Sequence, residues 1–335
     1  MLARYRFWLL AAAVTLILPA TLSSGTLATE VLVYALAVLG CNLLLGYTGL
    51  LSFGQGIFFG LGSYTLGILL TRTALPMPLA VIAAIVLGAI IAAVVGSFAI
   101  RQKGTYFVML TLACAQMFYF VAYTATDWTG GDNGLLDIPR KSLALGGQTL
   151  IPLTTPWQFY TFVAVIFLIV FAVLLRVADS VFGRTLLAIR DNETRAAAIG
   201  YHVKTFKLVA FAISGAVTAL AGALHALMTG IAPLSNIEYH TSEMILVMTV
   251  IGGTGNLFAS VLGAAFYVLA ADWLSTLWPR WLLLLGLLLI AVSLFMHRGL
   301  WGVGESLWYR LGGKRRDSDV EAAEPSKLDT QGDPT

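Results

Sequence analysis

Asp179–Lys207 reads DSVFGRTLLAIRDNETRAAAIGYHVKTFK, and it is the longest strongly charged stretch between apolar segments in the chain. Trp157–Val177 before it and Leu208–Thr229 after it are apolar runs long enough to cross the hydrocarbon of a bilayer. The chain therefore leaves the membrane here, carrying Arg184, Arg190, Arg195, Lys204 and Lys207. Asp191 or Asn192 is suited to cap a helix start, Glu193–Ile199 is alanine-rich, and Gly200 sits where helices commonly stop. Seven residues at about 1.5 Å each give a rod of roughly 10 Å, too short to persist alone in water. A short helix, small on one side and charged at its start, has the shape of a knob for another protein's groove. The stretch is expected to be where a membrane domain receives mechanical work.

Working outward, the rest of the chain is overwhelmingly apolar. Of 335 residues, 59% are hydrophobic and 11% charged, and the mean hydropathy is +0.86. Soluble domains carry about a quarter charged residues, so the composition describes a polytopic membrane protein. Apolar runs predict spans at Phe7–Leu22, Ala28–Leu45, Gln55–Thr71, Leu79–Ile100, Gly104–Ala125, Trp157–Val177, Leu208–Thr229, Ile237–Gly252, Leu257–Leu277 and Trp281–Met296. The expected fold is all-α, with about ten transmembrane helices in a domain over residues 1–311. Residues 178–207 form its cytoplasmic loop and residues 126–156 its main outer loop. The tail 312–335 is polar and lacks aromatics, and is expected to be disordered in the cytoplasm.

Charge placement supports this alternation. With the N-terminus inside, the inner positions collect Arg4, Arg6, Arg101, Lys103, the loop above, Arg298, Arg310, Lys314, Arg315 and Arg316. The outer positions hold Arg72, Arg140, Lys141 and Arg280. Both termini are thus expected in the cytoplasm. Phe7–Leu22 follows Arg4 and Arg6 like a leader, but no A-x-A site follows it, so it reads as a retained helix. Cys41 and Cys114 lie in apolar runs and read as free, small buried residues.

Absences narrow the function. Val31–Thr71, Thr73–Ile100, Gly104–Thr126 and Met244–Ala271 contain no Asp, Glu, Lys or Arg, whereas ion-coupled carriers keep ionisable groups near the bilayer middle despite their cost. Gly252-Gly253-Thr254-Gly255 lacks the lysine of a phosphate cradle. No metal-ligand cluster or nucleophile–base pair stands out, so the chain reads as neither an enzyme nor a cofactor carrier, and its driving force comes from outside.

Glycines mark the expected path. In GYTGLLSFGQG (Gly46–Gly56) a break in helical structure would bring polar Ser52 and Gln55, with Gly54 and Gly56, to a translocation pathway. Gln116, a polar residue in the fifth span, is a further pathway candidate. Ser214, Thr218, Gly222 and Ala226 form a small-residue ladder for close helix packing. Thr254-Gly255-Asn256-Leu257 echoes Thr48-Gly49-Leu50-Leu51 and hints at an internal duplication. In the outer loop, Trp128 with Asp132 and Asn133 offers an exposed aromatic beside turn residues, suited to docking an outer partner.

GYTGLLSFGQGIFFGLGSYT (Gly46–Thr65), YFVMLTLACAQM (Tyr106–Met117), TGGDNGL (Thr129–Leu135), GRTLLAIRDNETRAAAIG (Gly183–Gly200) and KLVAFAISGAVTALAGAL (Lys207–Leu224) together resemble the permease subunits of bacterial branched-chain amino acid ABC importers. The M-type partner of the two-permease pair is the nearer match. The resemblance implies an inner-membrane heterodimer of two related permeases, two cytoplasmic ATPases that use ATP, and a periplasmic substrate-binding protein. Asp191, Glu193, Arg195, Ala196, Ala197 and Gly200 fall on the family's ATPase-coupling motif. The chain departs from its relatives at Ala259-Ser260, where Gly-Pro is common, and at His297, where a proline is common. Similar permeases also carry urea, amides or aromatic acids, and these are the alternative cargoes. An ion-coupled carrier acting alone is the alternative from another class; a scaffold without transport is a third. Nothing in the sequence points to nucleic acid.

Overall fold

The computed structural model describes residues 15, 18, 19, 24–73, 75–139, 143–145, 148–151, 155–295 and 299–302. The expected segment Phe7–Leu22, apart from residues 15, 18 and 19, and the tail from Gly312 lie outside the described residues. The other nine expected segments are helices. They are α1 (Gly25–Thr48), α2 (Gln55–Arg72), α3 (Met77–Ala99), α4 (Thr105–Thr124), α6 (Pro156–Asp179), α9 (Val203–Thr229), α10 (Tyr239–Gly252), α11 (Leu257–Leu277) and α12 (Trp281–Phe295). A one-turn helix, α5 (Thr126–Thr129), follows α4, and two short helices, α7 (Val181–Asp191) and α8 (Glu193–Ala198), fill the polar stretch between α6 and α9. Among the described residues six helices, α1, α3, α4, α6, α9 and α11, are long and apolar enough to cross a membrane. The protein is a polytopic, membrane-type helical bundle.

Helix limits follow local chemistry. Ser24 caps α1 through the Leu27 amide, and Gly49, at φ 71°, ends it. Thr155 and Gln158 form a reciprocal capping box at α6, with Pro156 in its first turn. The helix expected from Ile237 begins at Tyr239, after a 3₁₀ turn at Leu234–Asn236. The stretch between α5 and α6 also holds a small antiparallel hairpin, β1 (Leu143–Leu145) with β2 (Gln148–Ile151), pairing Leu143 with Ile151 and Leu145 with Gln148. The all-helical expectation did not include it.

α9 lies at the centre, packed against α1, α2 and α3. The ladder of small residues is why it can. Ser214, Thr218 and Ala226 are completely buried. A Cβ on Gly222 would fall on the Phe59 carbonyl, and one on Gly62 would fall on the Ala219 carbonyl. α2 and α9 thus cross backbone to backbone, each glycine serving the other helix. Polar groups then join what the glycines bring together. Ser63 donates to the Gly222 carbonyl at 2.8 Å and Ser214 to the Gly40 carbonyl at 2.7 Å. In lipid such bonds average about 0.6 kcal/mol each, so close packing carries more of the cohesion than any one of them.

Candidate functional site

Among the described residues Arg101, Lys103, Arg184, Arg190, Lys204 and Lys207 gather around α7 and α8 and make that end of the bundle basic. α6 turns sharply into α7, with Ser180 capping α7 through the Gly183 amide. α7 is amphipathic: Leu186 and Ile189 are buried while Val181 is 75% exposed. The sequence reading did not anticipate this helix, although Phe182, Leu186 and Ile189 recur at helical spacing.

The short helix expected over Glu193–Ile199 forms as α8 over Glu193–Ala198, a small peg at the basic end. Of the two candidate caps, Asn192 performs the role, its Oδ1 accepting the Arg195 amide at 2.9 Å. Asp191 instead ends α7 and lies 3.5 Å from Arg190 Nε. Gly200 closes the peg at φ +100°, donating its amide to the Ala197 carbonyl at 3.0 Å. That backbone angle is costly for a residue with a Cβ.

Two faces of the peg divide its labour. Ala196 turns inward and packs with Ile189, Val203 and Phe206. Glu193 is anchored from behind, 2.9 Å from Lys207 and 3.5 Å from Lys103. Partial burial pulls the Glu193 carboxyl up, but the hydrogen bond and charge of Lys207, with Lys103, outweigh it and hold the group below its ordinary value of 4.5. The Lys207 side chain is only 9% exposed, and the half-buried Glu193 is its counter-ion. Outward, Arg195, Ala197 and Ala198 are exposed, and Ile199 is 72% exposed. Beside them runs a groove of about 600 Å³ lined by Glu193, Ala197, Tyr201, His202 and Lys204 among others. A rigid base with an apolar tip and a neighbouring groove can receive another protein.

The pathway candidates lie elsewhere. Ser52 and Gln55 are buried. Gln55 donates to Ser214 at 3.1 Å and accepts from Thr218 at 2.8 Å, so both its polar ends are occupied by α9. The Gly54 amide bonds Ser52 Oγ at 3.1 Å, and the Gly56 amide bonds Ser242 Oγ of α10 at 2.7 Å. Gln116, by contrast, is exposed on α4, beside Met117 (56% exposed) and Phe120 (64% exposed).

At the opposite end, Trp128 is exposed and Arg72 lies over its ring at 4.8 Å. Asp132 and Asn133 form an exposed 3₁₀ turn nearby. Pairing of Leu135 with Ala232, and of the Ile138 amide with the Gly230 carbonyl at 2.9 Å, ties this loop to the end of α9. The departure at Ala259-Ser260 has a local purpose: Ser260 Oγ accepts from the Asn42 side chain at 2.8 Å. Among the described residues no group of three or more His, Cys, Asp or Glu is placed to hold a metal ion.

Fold and site together define a polytopic membrane-type helical bundle with a short helix exposed at its basic end. Residues 24–293 match the family described as branched-chain amino acid transport system / permease component, and the chain belongs to that family of non-catalytic permeases. It is 28% identical to the high-affinity branched-chain amino acid transport system permease protein LivM of Escherichia coli (strain K12), over 84% of this chain and 71% of that protein. The probable LivM permease of Methanocaldococcus jannaschii is 25% identical over 70% of this chain and 76% of its own length. The L-arabinose permease AraH of Escherichia coli is 32% identical over 52% of this chain and 50% of its own. No solved structure matches. The general function is that of an ABC-importer permease.

Proposed function

We propose that this chain is the M-type half of a two-permease importer that takes up branched-chain or related amino acids. A second permease, two ATPases and a periplasmic binding protein complete the machine in a bacterial inner membrane. The N-terminal segment and the nine helices cross it, leaving both termini and the basic end in the cytoplasm. The observation that carries this reading is the peg: α8 is capped by Asn192 and anchored by Glu193 to Lys207, yet Arg195, Ala197 and the following Ile199 stay exposed among the described residues. ATP binding can drive transport only if the ATPases' states prefer different peg positions, and a firmly based peg transmits that preference.

Gln116 and its neighbours on α4 form the face turned to the second permease and the solute path. Ser52–Gly56 acts behind that path as a bonded joint between α1, α2, α9 and α10. Trp128, Asp132 and Asn133, on a loop tied to α9, receive the binding protein. Similarity to AraH extends the cargo alternatives from urea, amides and aromatic acids to sugars, because the binding protein selects the solute.

Ile199→Asp tests the peg. With all subunits reconstituted, the variant permease is expected to insert normally, lose co-purifying ATPase and lose ATP-dependent leucine uptake. Normal co-purification and uptake would remove the peg from the coupling path. Calorimetry of the cognate binding protein with leucine, urea, benzoate and arabinose decides the cargo.

A further inference from the structure

The three strands of chain that meet at the basic end converge on one side chain. α1 ends at Thr48, leaving its terminal carbonyls without helical donors. The Gly49 and Leu50 amides both turn back to the Leu44 carbonyl. The Gly46 carbonyl is instead taken by Arg190 Nη1, from the last turn of α7. The same arginine lies against two glycines: a Cβ on Gly49 would meet its Cγ at 3.1 Å, and one on Gly255 would meet its Nη1 at 3.6 Å. Asn42, one turn before Gly46, bonds the turn that carries Gly255. Its Nδ2 donates to the Asn256 carbonyl at 2.8 Å, and its Oδ1 accepts the Gly255 amide at 3.0 Å. A side chain at Gly46 would collide with both Asn42 and Gly255. The α1 end and the α10–α11 turn are thus locked together, and Arg190 joins that lock to the residue preceding the peg's cap.

We propose that Arg190 is a positioning residue that transmits peg movement to the α1 end and the Thr254–Asn256 turn. This rests on the coupling reading above. Guanidinium suits the task because one planar fork reaches a carbonyl while its stem packs along glycine backbone. A shift of α8 is conveyed through Asn192 and Asp191 to Arg190, and from there to two helix ends at once.

The test uses the complete reconstituted complex, reading ATPase co-purification, ATP hydrolysis and solute uptake. R190Q is expected to keep ATPase association and basal hydrolysis within about twofold of the parent, while ATP spent per solute rises at least about tenfold. R190K, which keeps one charged donor, is expected near a threefold rise. A structural filler would not distinguish the two. Parent-like ATP per solute in R190Q overturns the proposal, as does loss of ATPase association, which would make Arg190 a docking residue. Should R190Q fail to assemble, a parent-like ratio in R190K overturns it. Failure of the coupling reading shows separately, in Ile199→Asp with intact uptake.

Discussion

Two regions of this molecule are built from small residues, for opposite reasons. Where α2 crosses α9, Gly62 and Gly222 are small because another backbone occupies the space a Cβ would need. In the peg, Gly200 has nothing within 4 Å of its would-be Cβ, and is glycine for its backbone angle of +100°. The alanines differ likewise: Ala219 and Ala226 are completely buried, while Ala197 and Ala198 face outward. Smallness in the crossing is consumed by the fold. Smallness in the peg is left exposed, and under the proposed function it lets a partner approach closely.

The crossing should therefore be the less forgiving region. Gly222→Leu forces α2 and α9 apart and removes the Ser63 bond to the Gly222 carbonyl. Overpacking costs about 1–3 kcal/mol in ordinary cores, and backbone contact leaves no flexible neighbour to yield, so a loss at the top of that range or beyond is expected. Detergent-extracted variant should run as aggregate in size-exclusion chromatography. A monodisperse peak at parent yield would show the crossing to be pliable. Next comes Gln55→Leu, which deletes the bonds to Ser214 and Thr218. At about 0.6 kcal/mol per intramembrane bond, a loss of about 1 kcal/mol is expected, seen as a lower thermal midpoint with transport retained. A selective transport defect at parent stability would return Gln55 to the pathway.

These outcomes reflect what a sequence can and cannot disclose. Spans, the Ser214–Ala226 ladder and the stop at Gly200 were legible because each is a local pattern of length, spacing or residue type. Gln55 read as a pathway residue because the glycines of Gly46–Gly56 pointed to a break in helical structure beside it; its partners on α9 stand 159 and 163 residues away. Arg190 read only as positive charge, since its acceptor on Gly46 lies 144 residues earlier. Lys207 read as exposed loop charge, yet folding buries it against Glu193. Long-range pairing escapes periodicity, and the clamp at the basic end consists of little else. Of the peg, the helix and its stop were visible, but which alanine faced inward depended on α7, whose own pattern is only three residues deep.

Within the peg, the Glu193–Lys207 pair gives a pH signature of its own. Because the folded carboxyl titrates below its unfolded value, its contribution is complete above about pH 4.5 and is lost as pH falls through the lower folded value. Hydrogen exchange of residues 181–206 should accelerate on acidification below about pH 4.5 in the parent, relative to the transmembrane core. Glu193→Gln should already exchange faster at neutral pH, since buried Lys207 loses its counter-ion; bonds to charged groups contribute about 1.5–3 kcal/mol, reduced here because Glu193 is 31% exposed. It should also lose this part of the acid dependence. An unchanged acid profile would mean that the Glu193 ion pairs do not stabilise this end.

The smallest effect separates backbone need from surface need at Gly200. Alanine there meets no atoms but must hold φ near +100°, a local penalty of about 1–2 kcal/mol. Asparagine tolerates positive φ better than alanine, so Gly200→Asn should disturb α8 less, by a few tenths of a kcal/mol against Ala, measured as exchange protection of the Gly200 and Tyr201 amides that close the peg. If both variants keep the peg folded yet both abolish ATP-dependent uptake, the missing side chain is required by whatever seats against Ile199. If Gly200→Asn transports normally and Gly200→Ala does not, the backbone angle alone is what the position supplies. Either result draws the boundary between the two kinds of smallness at a single residue.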